Sequence, residues 1–255
     1  MDDFEGLVEA SAIVRRARRI TVLSGAGIST DSGIPDFRGP NGVWTKNPGA
    51  ERTSNIESYM GDPAVRRLSW RQRVESPAWR AEPNDGHRAL VRLERQGRLV
   101  ALLTQNIDGL HQKAGSDPNL VVELHGTIRR VVCWGCGEEG PMQAALDRVR
   151  AGDPDPACVS CGGILKSATI SFGQSLDPEV VAAAERATRS CDLMLVIGTT
   201  LAVHPAASLV PLAFSAGAAL VIVNAQPTPY DEIAAAVVRT PISAAVARLV
   251  DGYST

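Results

Sequence analysis

Two Cys-x-x-Cys pairs are the residues of this sequence with the most specific chemistry. Cys133 and Cys136 form the first pair, and Cys158 and Cys161 form the second. Each pair can present two thiolates from one tight turn, and four thiolates match the tetrahedral geometry of structural zinc. A redox Cys-x-x-Cys is the alternative, and the presence of two pairs favours zinc. Because all four positions would be protein ligands, the ion is expected to be structural; Cys191 is predicted to be a buried free thiol.

A glycine-rich loop is the second candidate. Residues 25–30 read Gly-Ala-Gly-Ile-Ser-Thr and follow a short apolar run. They match only the first two glycines of the dinucleotide-binding pattern, so nucleotide binding and a plain tight turn are both open. The continuation contains Asp36, Phe37 and Arg38, and such a loop could fold over a ligand and exclude water. Arg38 would then bind a phosphate or carboxylate; alternatively, Arg38 is simply solvated and Phe37 is a core plug.

Polar residues also follow four later apolar runs, at the point where each run stops. The runs 100–103, 120–124, 193–197 and 220–223 lead into Thr104-Gln105-Asn106, His125-Gly126, Gly198-Thr199-Thr200 and Asn224. Continuous apolar runs indicate strands buried on both faces of a parallel sheet. Ligands bind beyond the carboxyl ends of such strands. We therefore expect these polar residues to meet in one crevice.

Each of these strand-end residues has a plainer interpretation. Asn106 and Asp108 could form an Asx turn that starts a helix, and Asn224 could cap the turn before Pro227. A lone histidine is more often structural than catalytic, but a reactive role is favoured for His125, because it is expected to face the same crevice as Asn106 and the glycine loop. The other three histidines, His87, His111 and His204, show this convergence to a lesser degree.

The elements that must position these residues alternate along the chain. Helical patterns cover 5–19, 84–97, 177–190 and 204–217, between the apolar runs. Strands alternating with helices predict a doubly wound α/β fold. Residues 40–83 show no strong strand and are predicted to form a mobile loop followed by short helices. Residues 127–170, which carry the cysteines, are predicted to be an insertion between elements of the sheet.

Composition narrows the classes of protein. The chain has 255 residues and a formal net charge of −2, with 44% hydrophobic residues. This composition excludes long-range disorder and fibrous repeats. The balanced charge argues against non-specific nucleic-acid binding. We also expect no membrane partner, because no apolar run is long enough to span a bilayer. The acidic start lacks a secretory h-region, and a cytoplasmic location is the expectation.

The motifs together resemble those of the sirtuin family. The matching segments are Gly25-Ala-Gly-Ile-Ser29, Gly33-Ile-Pro-Asp-Phe-Arg-Gly39, Thr104-Gln-Asn-Ile-Asp-Gly-Leu-His111, Leu124-His-Gly126, the two cysteine pairs, Gly198-Thr-Thr200 and Val223-Asn224. They occur in the family's order over essentially the whole chain. Segment 29–44 together with Gln226-Pro-Thr228 is most similar to the sirtuin 6/7-like subgroup.

The resemblance implies a fold and a division of the chain. The expected fold class is α/β, a Rossmann-like doubly wound parallel sheet with an inserted small zinc-binding domain. Residues 1–39, 84–126 and 171–255 would form the NAD-binding domain. Residues 40–83 would be a cofactor-loop and helical insertion, and residues 127–170 the zinc-binding domain.

The resemblance also implies an activity and its residues. Sirtuins are NAD-dependent protein-lysine deacylases, so NAD would be the co-substrate, one Zn²⁺ a structural ion, and acyl-lysine proteins or peptides the partners. Catalytic roles would fall to His125, Asn106 and Asp108. Cofactor binding would fall to Gly25, Ala26, Gly27, Ser29, Asp36, Phe37, Arg38, Gln105, Asn106, Ile107, Asp108, Gly198, Thr199, Thr200, Asn224 and Ile242. Substrate binding would fall to Phe172, Gly173, Gln174 and Val203, and zinc binding to Cys133, Cys136, Cys158 and Cys161.

The implied reaction begins with cleavage of the nicotinamide–ribose bond. His125 would then accept a proton from a ribose hydroxyl. The products would be free lysine, nicotinamide and O-acyl-ADP-ribose.

Two departures from the family pattern stand out. Thr200 replaces a common serine, which adds only a methyl group, and Gln174 replaces a common glutamate near the peptide groove. The Tyr-x-x-Arg signature of acid-preferring sirtuins has no counterpart in segment 68–73, so uncharged acyl groups are predicted.

Two other functions remain open at the level of sequence. A protein mono-ADP-ribosyltransferase would begin with the same bond cleavage. A non-catalytic zinc-ribbon module that binds nucleic acid would draw support from Arg129 and Arg130 beside Cys133, although the balanced charge opposes it.

Overall fold

The computed structural model describes residues 3–252. The strands in this part are β1 (Ile20–Ser24), β2 (Leu99–Thr104), β3 (Val121–Glu123), β4 (Gly126–Cys133), β5 (Glu139–Pro141), β6 (Leu165–Thr169), β7 (Leu193–Ile197), β8 (Ala219–Val223) and β9 (Ala236–Val238). The α-helices are α1 (Asp3–Arg16), α2 (Val43–Lys46), α3 (Ile56–Gly61), α4 (Pro63–Val74), α5 (Asp85–Arg95), α6 (Leu110–Ala114), α7 (Met142–Arg150), α8 (Pro178–Ser190), α9 (Leu209–Ser215) and α10 (Ile242–Asp251). Short 3-10 helices cover Ala26–Ser32, Pro48–Ser54, Pro77–Trp79, Ala206–Ser208 and Asp231–Ile233.

Six parallel strands form the larger sheet, in the order β3-β2-β1-β7-β8-β9. The five apolar runs predicted from the sequence are β1, β2, β3, β7 and β8, so the parallel α/β prediction is confirmed. Strand β9 was not predicted, because three residues beside an alanine run carry little strand signal. The chain leaves β1 towards β2 and β3 and then returns to β7 on the other side. The order therefore reverses at β1, where parallel sheets of this kind open a crevice.

Helices cover both faces of this sheet. Helices α1, α5 and α10 pack on one face through residues such as Val14, Leu90 and Val246. Helices α8 and α9 pack on the other face, where Ala184 and Val210 meet the sheet. The strands β1 and β7 are buried at every position, as continuous apolar strands between two helical layers must be.

The smaller sheet is antiparallel, with the order β5-β4-β6. Its core joins Val131 of β4 and Leu165 of β6 to Met142 of α7 and Trp70 of α4. Helix α4 comes from the predicted helical insertion, and α7 comes from the cysteine-bearing segment. These two parts of the sequence therefore share one core.

Two helix predictions need correction. Helix α1 ends at Arg16 rather than at residue 19, because the backbone N–H groups of Arg18 and Arg19 donate to the carboxylate of Asp192 instead. The helix predicted over 204–217 is shorter, since α9 begins at Leu209 after a 3-10 turn. Within residues 3–252, no helix has both the length and the apolar character that a membrane span needs.

Candidate functional site

The glycine loop after β1 packs directly against the loop after β7. Gly27 N–H donates to the carbonyl of Gly198 at 2.8 Å. A Cβ on Gly27 would lie 2.7 Å from Gly198 Cα, and Gly198 itself has φ +62° with no room for a Cβ beside Ile28 N. Both glycines are therefore required for two backbones to approach each other. Because the Gly27 N–H is used inside the protein, it is not available as a donor to a phosphate.

The residues after β2 reach across to both neighbouring loops. Gln105 Nε2 donates to Thr199 Oγ1 at 3.0 Å, which links the ends of β2 and β7 across β1. Asn106 is buried, and its Nδ2 donates to the carbonyl of Gly25 at 3.1 Å and to Ser29 Oγ at 3.2 Å. Three of the strand ends that the sequence placed in one crevice, those of β1, β2 and β7, are thus in direct contact.

Asp108 has both carboxylate oxygens engaged. Oδ2 accepts a hydrogen bond from Ser29 Oγ at 2.7 Å, and Oδ1 accepts one from the backbone N–H of Leu110 at 2.8 Å. The second bond is the Asx-type turn that the sequence offered as an alternative, and it starts α6. Asp108 therefore both shapes the loop and connects it to the glycine segment.

His125 lies at the end of β3, beside the same loop. Its Nδ1 is 3.0 Å from the carbonyl oxygen of Gln105. Because a carbonyl can only accept, Nδ1 carries the proton, and Nε2 of the neutral ring is left with a lone pair. Burial lowers the pKa of His125, and the hydrogen bond to Gln105 opposes this in part. The result is a neutral imidazole with a fixed tautomer, the form that a general base requires.

A buried histidine pair lies beneath the crevice, and sequence reasoning missed its role. The rings of His87 and His111 are 4.9 Å apart. His111 Nε2 is 2.9 Å from Ser24 Oγ, and His87 Nε2 is 3.5 Å from Ser29 Oγ. Burial lowers the pKa of His87 to about 4 and that of His111 well below its usual value, so both rings are neutral. The spacing of His87 within α5 gave no indication of this contact.

Three aromatic rings join the loop after the glycine segment to the expected substrate segment. Phe37 and Trp44 have ring centroids 4.8 Å apart, and Trp44 and Phe172 have centroids 5.4 Å apart. Arg38 lies over the Trp44 ring at 4.6 Å. Phe37 is 41% exposed, so its interpretation as a core plug is wrong. Phe37 lies in the loop before α2 and its partner Trp44 lies within α2, so no helical or strand spacing in the sequence predicts their contact.

The remaining residues of the expected cofactor set lie around the crevice rim. Asp36 Oδ1 accepts from Gly39 N–H and closes the turn of this loop. Ile242, the first residue of α10, has its Cδ1 3.0 Å from where a Gly27 Cβ would be. Asn224 Nδ2 donates to the carbonyl of Gln226 at 2.8 Å, which is the turn-capping alternative. The other members of the set, Ala26, Ile107 and Thr200, are half-buried.

The expected substrate segment is partly paired already. Phe172 N–H donates to the carbonyl of Ser54, and Ile56 N–H donates to the carbonyl of Phe172. Gln174 closes a turn, because its N–H donates to the Ser171 carbonyl at 3.0 Å. Gly173 is exposed and Val203 is half-buried. The backbone N–H and carbonyl of Phe172 are therefore already paired, and an extended peptide would have to pair with other backbone groups.

The four cysteines of the two pairs converge. Their sulfur atoms all lie within 4.8 Å of one another, with Cys133 and Cys161 at 3.5 Å and Cys136 and Cys158 at 3.8 Å. Four thiolates bound to one Zn²⁺ at about 2.3 Å would be about 3.8 Å apart, so the cluster has the size of a zinc site. Cys191 is buried away from it and donates to the Thr188 carbonyl, as a free thiol.

A cavity of about 970 Å³ is lined by residues of β3, β4, β6 and α8. Its wall includes Glu123, Lys166, Arg129 and Gln174, but neither Gly25 nor Asn106. We place the candidate reactive site in the crevice at the ends of β1, β2 and β7, because the polar residues after these strands meet there.

Comparison with known families settles the relationship. The model of the Sir2 family matches residues 25–205. The chain belongs to the Sir2 family. The matched range includes the glycine loop, the loop after β2, His125 and all four zinc-candidate cysteines.

Curated Sir2-family relatives match nearly end to end. NAD-dependent protein deacetylase 2 of Streptomyces coelicolor is 54% identical over 233 residues, which are 91% of this chain and 97% of the relative. NAD-dependent protein deacetylase 1 of Bradyrhizobium diazoefficiens is 41% identical over 93% of this chain and 92% of its own length.

Solved Sir2 structures share the fold. One from a study of the mechanism and regulation of Sir2 enzymes has a TM-score of 0.88 at 35% identity, over 97% of both chains. A Sir2 enzyme with a p53 peptide and NAD+ has a TM-score of 0.84 at 32% identity, over 98% of this chain and 97% of the other. A Sir2 enzyme bound to a propionylated peptide has a TM-score of 0.84 at 31% identity, over 98% of each chain.

Proposed function

We propose that this Sir2-family protein is an NAD-dependent protein-lysine deacylase. It would transfer the acyl group of a modified lysine to the ADP-ribose part of NAD and release nicotinamide. The observation that carries the proposal is His125, a neutral imidazole with its Nδ1–H held by the Gln105 carbonyl, beside the buried Asn106–Asp108 loop. The names of the relatives point to the same activity.

NAD would supply an electrophilic ribose carbon when its bond to nicotinamide breaks, and the acyl oxygen of the modified lysine would bond to that carbon. The crevice suits such a molecule because several strand ends offer polar groups to one space. Asn106 has its amide nitrogen committed to Gly25 and Ser29, so its Oδ1 is the atom offered to the co-substrate. Asp108 would act by holding the loop, since both of its carboxylate oxygens are engaged.

We assign the remaining cofactor contacts to the loops that meet at this crevice. The glycine loop would let the backbone approach the co-substrate, while Phe37 and Arg38 would close over it and exclude water. The proposed set is Gly25, Ala26, Gly27, Ser29, Asp36, Phe37, Arg38, Gln105, Asn106, Ile107, Asp108, Gly198, Thr199, Thr200, Asn224 and Ile242. Gly27 and Gly198 would act through close packing rather than as hydrogen-bond donors.

His125 would act as the general base of the acyl transfer. Nε2 would take the proton from a ribose hydroxyl, which makes that oxygen a better nucleophile towards the acyl carbon. Water would then add as the lysine amine leaves, so that acyl-lysine, NAD and water give lysine, nicotinamide and O-acyl-ADP-ribose. The hydrogen bond from Nδ1–H to Gln105 would stabilise the imidazolium that forms. Loss of such a base typically costs about 10²–10⁴-fold in rate.

Zinc would have a structural part only. The four thiolates would fill its coordination sphere, which leaves no open position for water or substrate. The ion would hold Cys133, at the end of β4, against Cys161 in the turn that the Ala157–Ile164 bridge closes. We assign residues 1–39, 84–126 and 171–255 to the NAD-binding domain and residues 127–170 to the zinc-binding domain. Segment 40–83 packs against the zinc-binding domain through Trp70.

An acyl-lysine peptide would bind along Phe172, Gly173, Gln174 and Val203. We predict uncharged acyl groups. Segment 68–73 ends in Arg73, whose half-buried side chain lies over the Tyr59 and Trp70 rings and donates to Ser167 Oγ. The sirtuin 6/7-like subgroup and the cytoplasmic location also stay predictions, which acyl-chain profiling and cell fractionation address.

The decisive experiment incubates the protein with NAD and an acetyl-lysine peptide and follows products by mass spectrometry. Peptide-dependent nicotinamide release with loss of the acetyl mass supports deacylation. Appearance of ADP-ribose on protein, with the acetyl group retained, would instead support the mono-ADP-ribosyltransferase. A second panel with short, long and acidic acyl-lysine peptides tests the preference for uncharged groups.

The nucleic-acid alternative has lost its structural support. Arg130 forms an ion pair with Glu139, and Arg129 donates to the carbonyl of Asp108. Both arginines therefore already have a partner within the protein. A salt-dependent DNA titration with no effect of NAD would be needed to revive it.

A further inference from the structure

Arg129 connects the small sheet to the loop that carries Asn106 and Asp108. It lies in β4, and its Nε and Nη2 both donate to the backbone carbonyl of Asp108, at 3.2 and 2.8 Å. The preceding residue, Ile128, donates its N–H to the carbonyl of Ile107 at 3.0 Å. Two successive residues of β4 therefore hold two successive carbonyls of the loop.

Gly109 makes this arrangement possible. It has φ +73°, a conformation that L side chains rarely adopt. A Cβ there would also lie 3.1 Å from Arg129 Nε. The glycine both turns the chain into α6 and leaves space for the guanidinium group beside the Asp108 carbonyl.

The other side of the guanidinium group faces the helical segment after β1. Arg129 Cζ lies 5.3 Å from the ring centroid of Trp79, a cation–π contact. Trp79 Nε1 donates to the carbonyl of Arg73, in the last turn of α4. Arg129 is thus located where the small sheet, the helical segment and the loop after β2 meet.

We propose that Arg129 is a positioning residue that holds the Asp108 carbonyl, and through it the side chains of Asn106 and Asp108, in their catalytic arrangement. It makes the geometry of the Asn106–Asp108 part of the crevice depend on an intact zinc module. Arg129 touches no reacting atom in this role. The inference rests on the proposed deacylase function, although the connection itself can be measured without turnover.

The chemistry of the side chain explains why arginine stands here. A planar guanidinium can direct two N–H groups at one oxygen and stack on an aromatic ring at the same time. A lysine could donate to the Asp108 carbonyl but would lose the second bond and the stacking geometry. Arg130 offers the matched control, because it is the next residue of β4 and pairs with Glu139 instead.

The test compares Arg129→Ala, Arg129→Lys and Arg130→Ala with the wild type. For Arg129→Ala we expect kcat to fall about 10–100-fold, since small misplacements of catalytic groups cost rates of that order. The KM for peptide, the zinc content and the Tm should stay close to those of Arg130→Ala. Arg129→Lys should recover part of kcat.

Hydrogen exchange supplies the readout that does not depend on activity. Amides of residues 104–110 should exchange faster in Arg129→Ala than in Arg130→Ala or the wild type. Unchanged exchange there, a kcat equal to that of Arg130→Ala, or loss of zinc by Arg129→Ala would each overturn the proposal. Failure of the wild type to deacylate any peptide would count against the proposed function, whereas the exchange result would still decide whether Arg129 holds the loop.

Discussion

The two sheets of this protein are stabilised in different ways. The parallel sheet has β1 and β7 buried at every position between two helical layers. The antiparallel sheet has only three buried positions along β4, Ile128, Val131 and Cys133, and two of the buried residues of its core are the cysteines Cys133 and Cys158. A module with so small an apolar core typically needs a metal or disulfides to fold. The parallel sheet forms the crevice. The antiparallel sheet carries Ile128 and Arg129, which bond to the loop after β2, and we expect this sheet to need the zinc ion for its fold.

The largest expected effect comes from removing a zinc ligand. Cys133→Ser should lose zinc and unfold the small sheet, because metal binding to such sites contributes about 10 kcal/mol or more to folding. Zinc content by atomic absorption and hydrogen exchange of residues 126–170 would measure this. Cys191→Ser is the matched control, since Cys191 is a buried free thiol outside the cluster. Bound zinc and full activity in Cys133→Ser would contradict the claim that the antiparallel sheet needs zinc to fold.

Removal of the proposed base should leave both sheets folded. His125→Ala is expected to lower kcat about 10²–10⁴-fold while the Tm and NAD binding change little. His204→Ala is the control, because His204 is exposed and contacts Ser208 Oγ rather than the crevice. Steady-state kinetics and calorimetric titration with NAD separate the two effects. Unchanged turnover would remove His125 from the mechanism.

Acid should destabilise the domain of the parallel sheet, because His87 of α5 and His111 of α6 are buried in the neutral form. The pKa of His87 is lowered to about 4 and that of His111 is also lowered, so the unfolded chain binds more protons than the native protein below about pH 6.5. Stability is therefore lost as the pH falls from about 6.5 towards 4, by up to about 1.4 kcal/mol per pH unit for each histidine. Urea unfolding of the wild type and of His111→Asn across this range measures the slope. An equal slope in the variant would exclude His111 as a source.

The smallest of these effects concerns the aromatic contact between the two predicted binding segments. Trp44→Ala should weaken NAD binding by about 1 kcal/mol, because an aromatic pair contributes about 0.5–1.5 kcal/mol beyond buried area. The KM for peptide should rise with it, since Trp44 also contacts Phe172. Trp134→Ala is the control: this exposed tryptophan lies in a cysteine turn. Equal KM values in both variants would mean that Trp44 does not link the segments.

The same comparison explains what the sequence could reveal. The strands β1, β2, β3, β7 and β8 were predictable because burial on both faces requires continuous apolar runs. The cysteine cluster was predictable because ligand spacing is local. In the small sheet, β4 was not recognised, because its Gly126–Cys133 segment carries two exposed arginines and a register shift.

The missed parts of the site depend on contacts between distant segments. The pairing of His87 with His111, and of Phe37 with Trp44 and Phe172, follows from tertiary packing that no residue spacing encodes. In the sequence, Arg129 stands out only as a cation near Cys133. Its bonds to Asp108 become visible only when β4 lies against the loop after β2.

The central claim is that the crevice of the parallel sheet transfers an acyl group to ADP-ribose. The most direct measurement uses an acetyl-lysine peptide whose carbonyl oxygen is oxygen-18, with NAD in unlabelled water, and analyses the first products by mass spectrometry. We expect nicotinamide, free lysine peptide and O-acetyl-ADP-ribose to form in equal amounts. The label should appear in the ADP-ribose part of the product, because the acyl oxygen bonds to the ribose carbon in the proposed reaction. Labelled free acetate as the first product, with NAD left intact, would show simple hydrolysis and contradict the account.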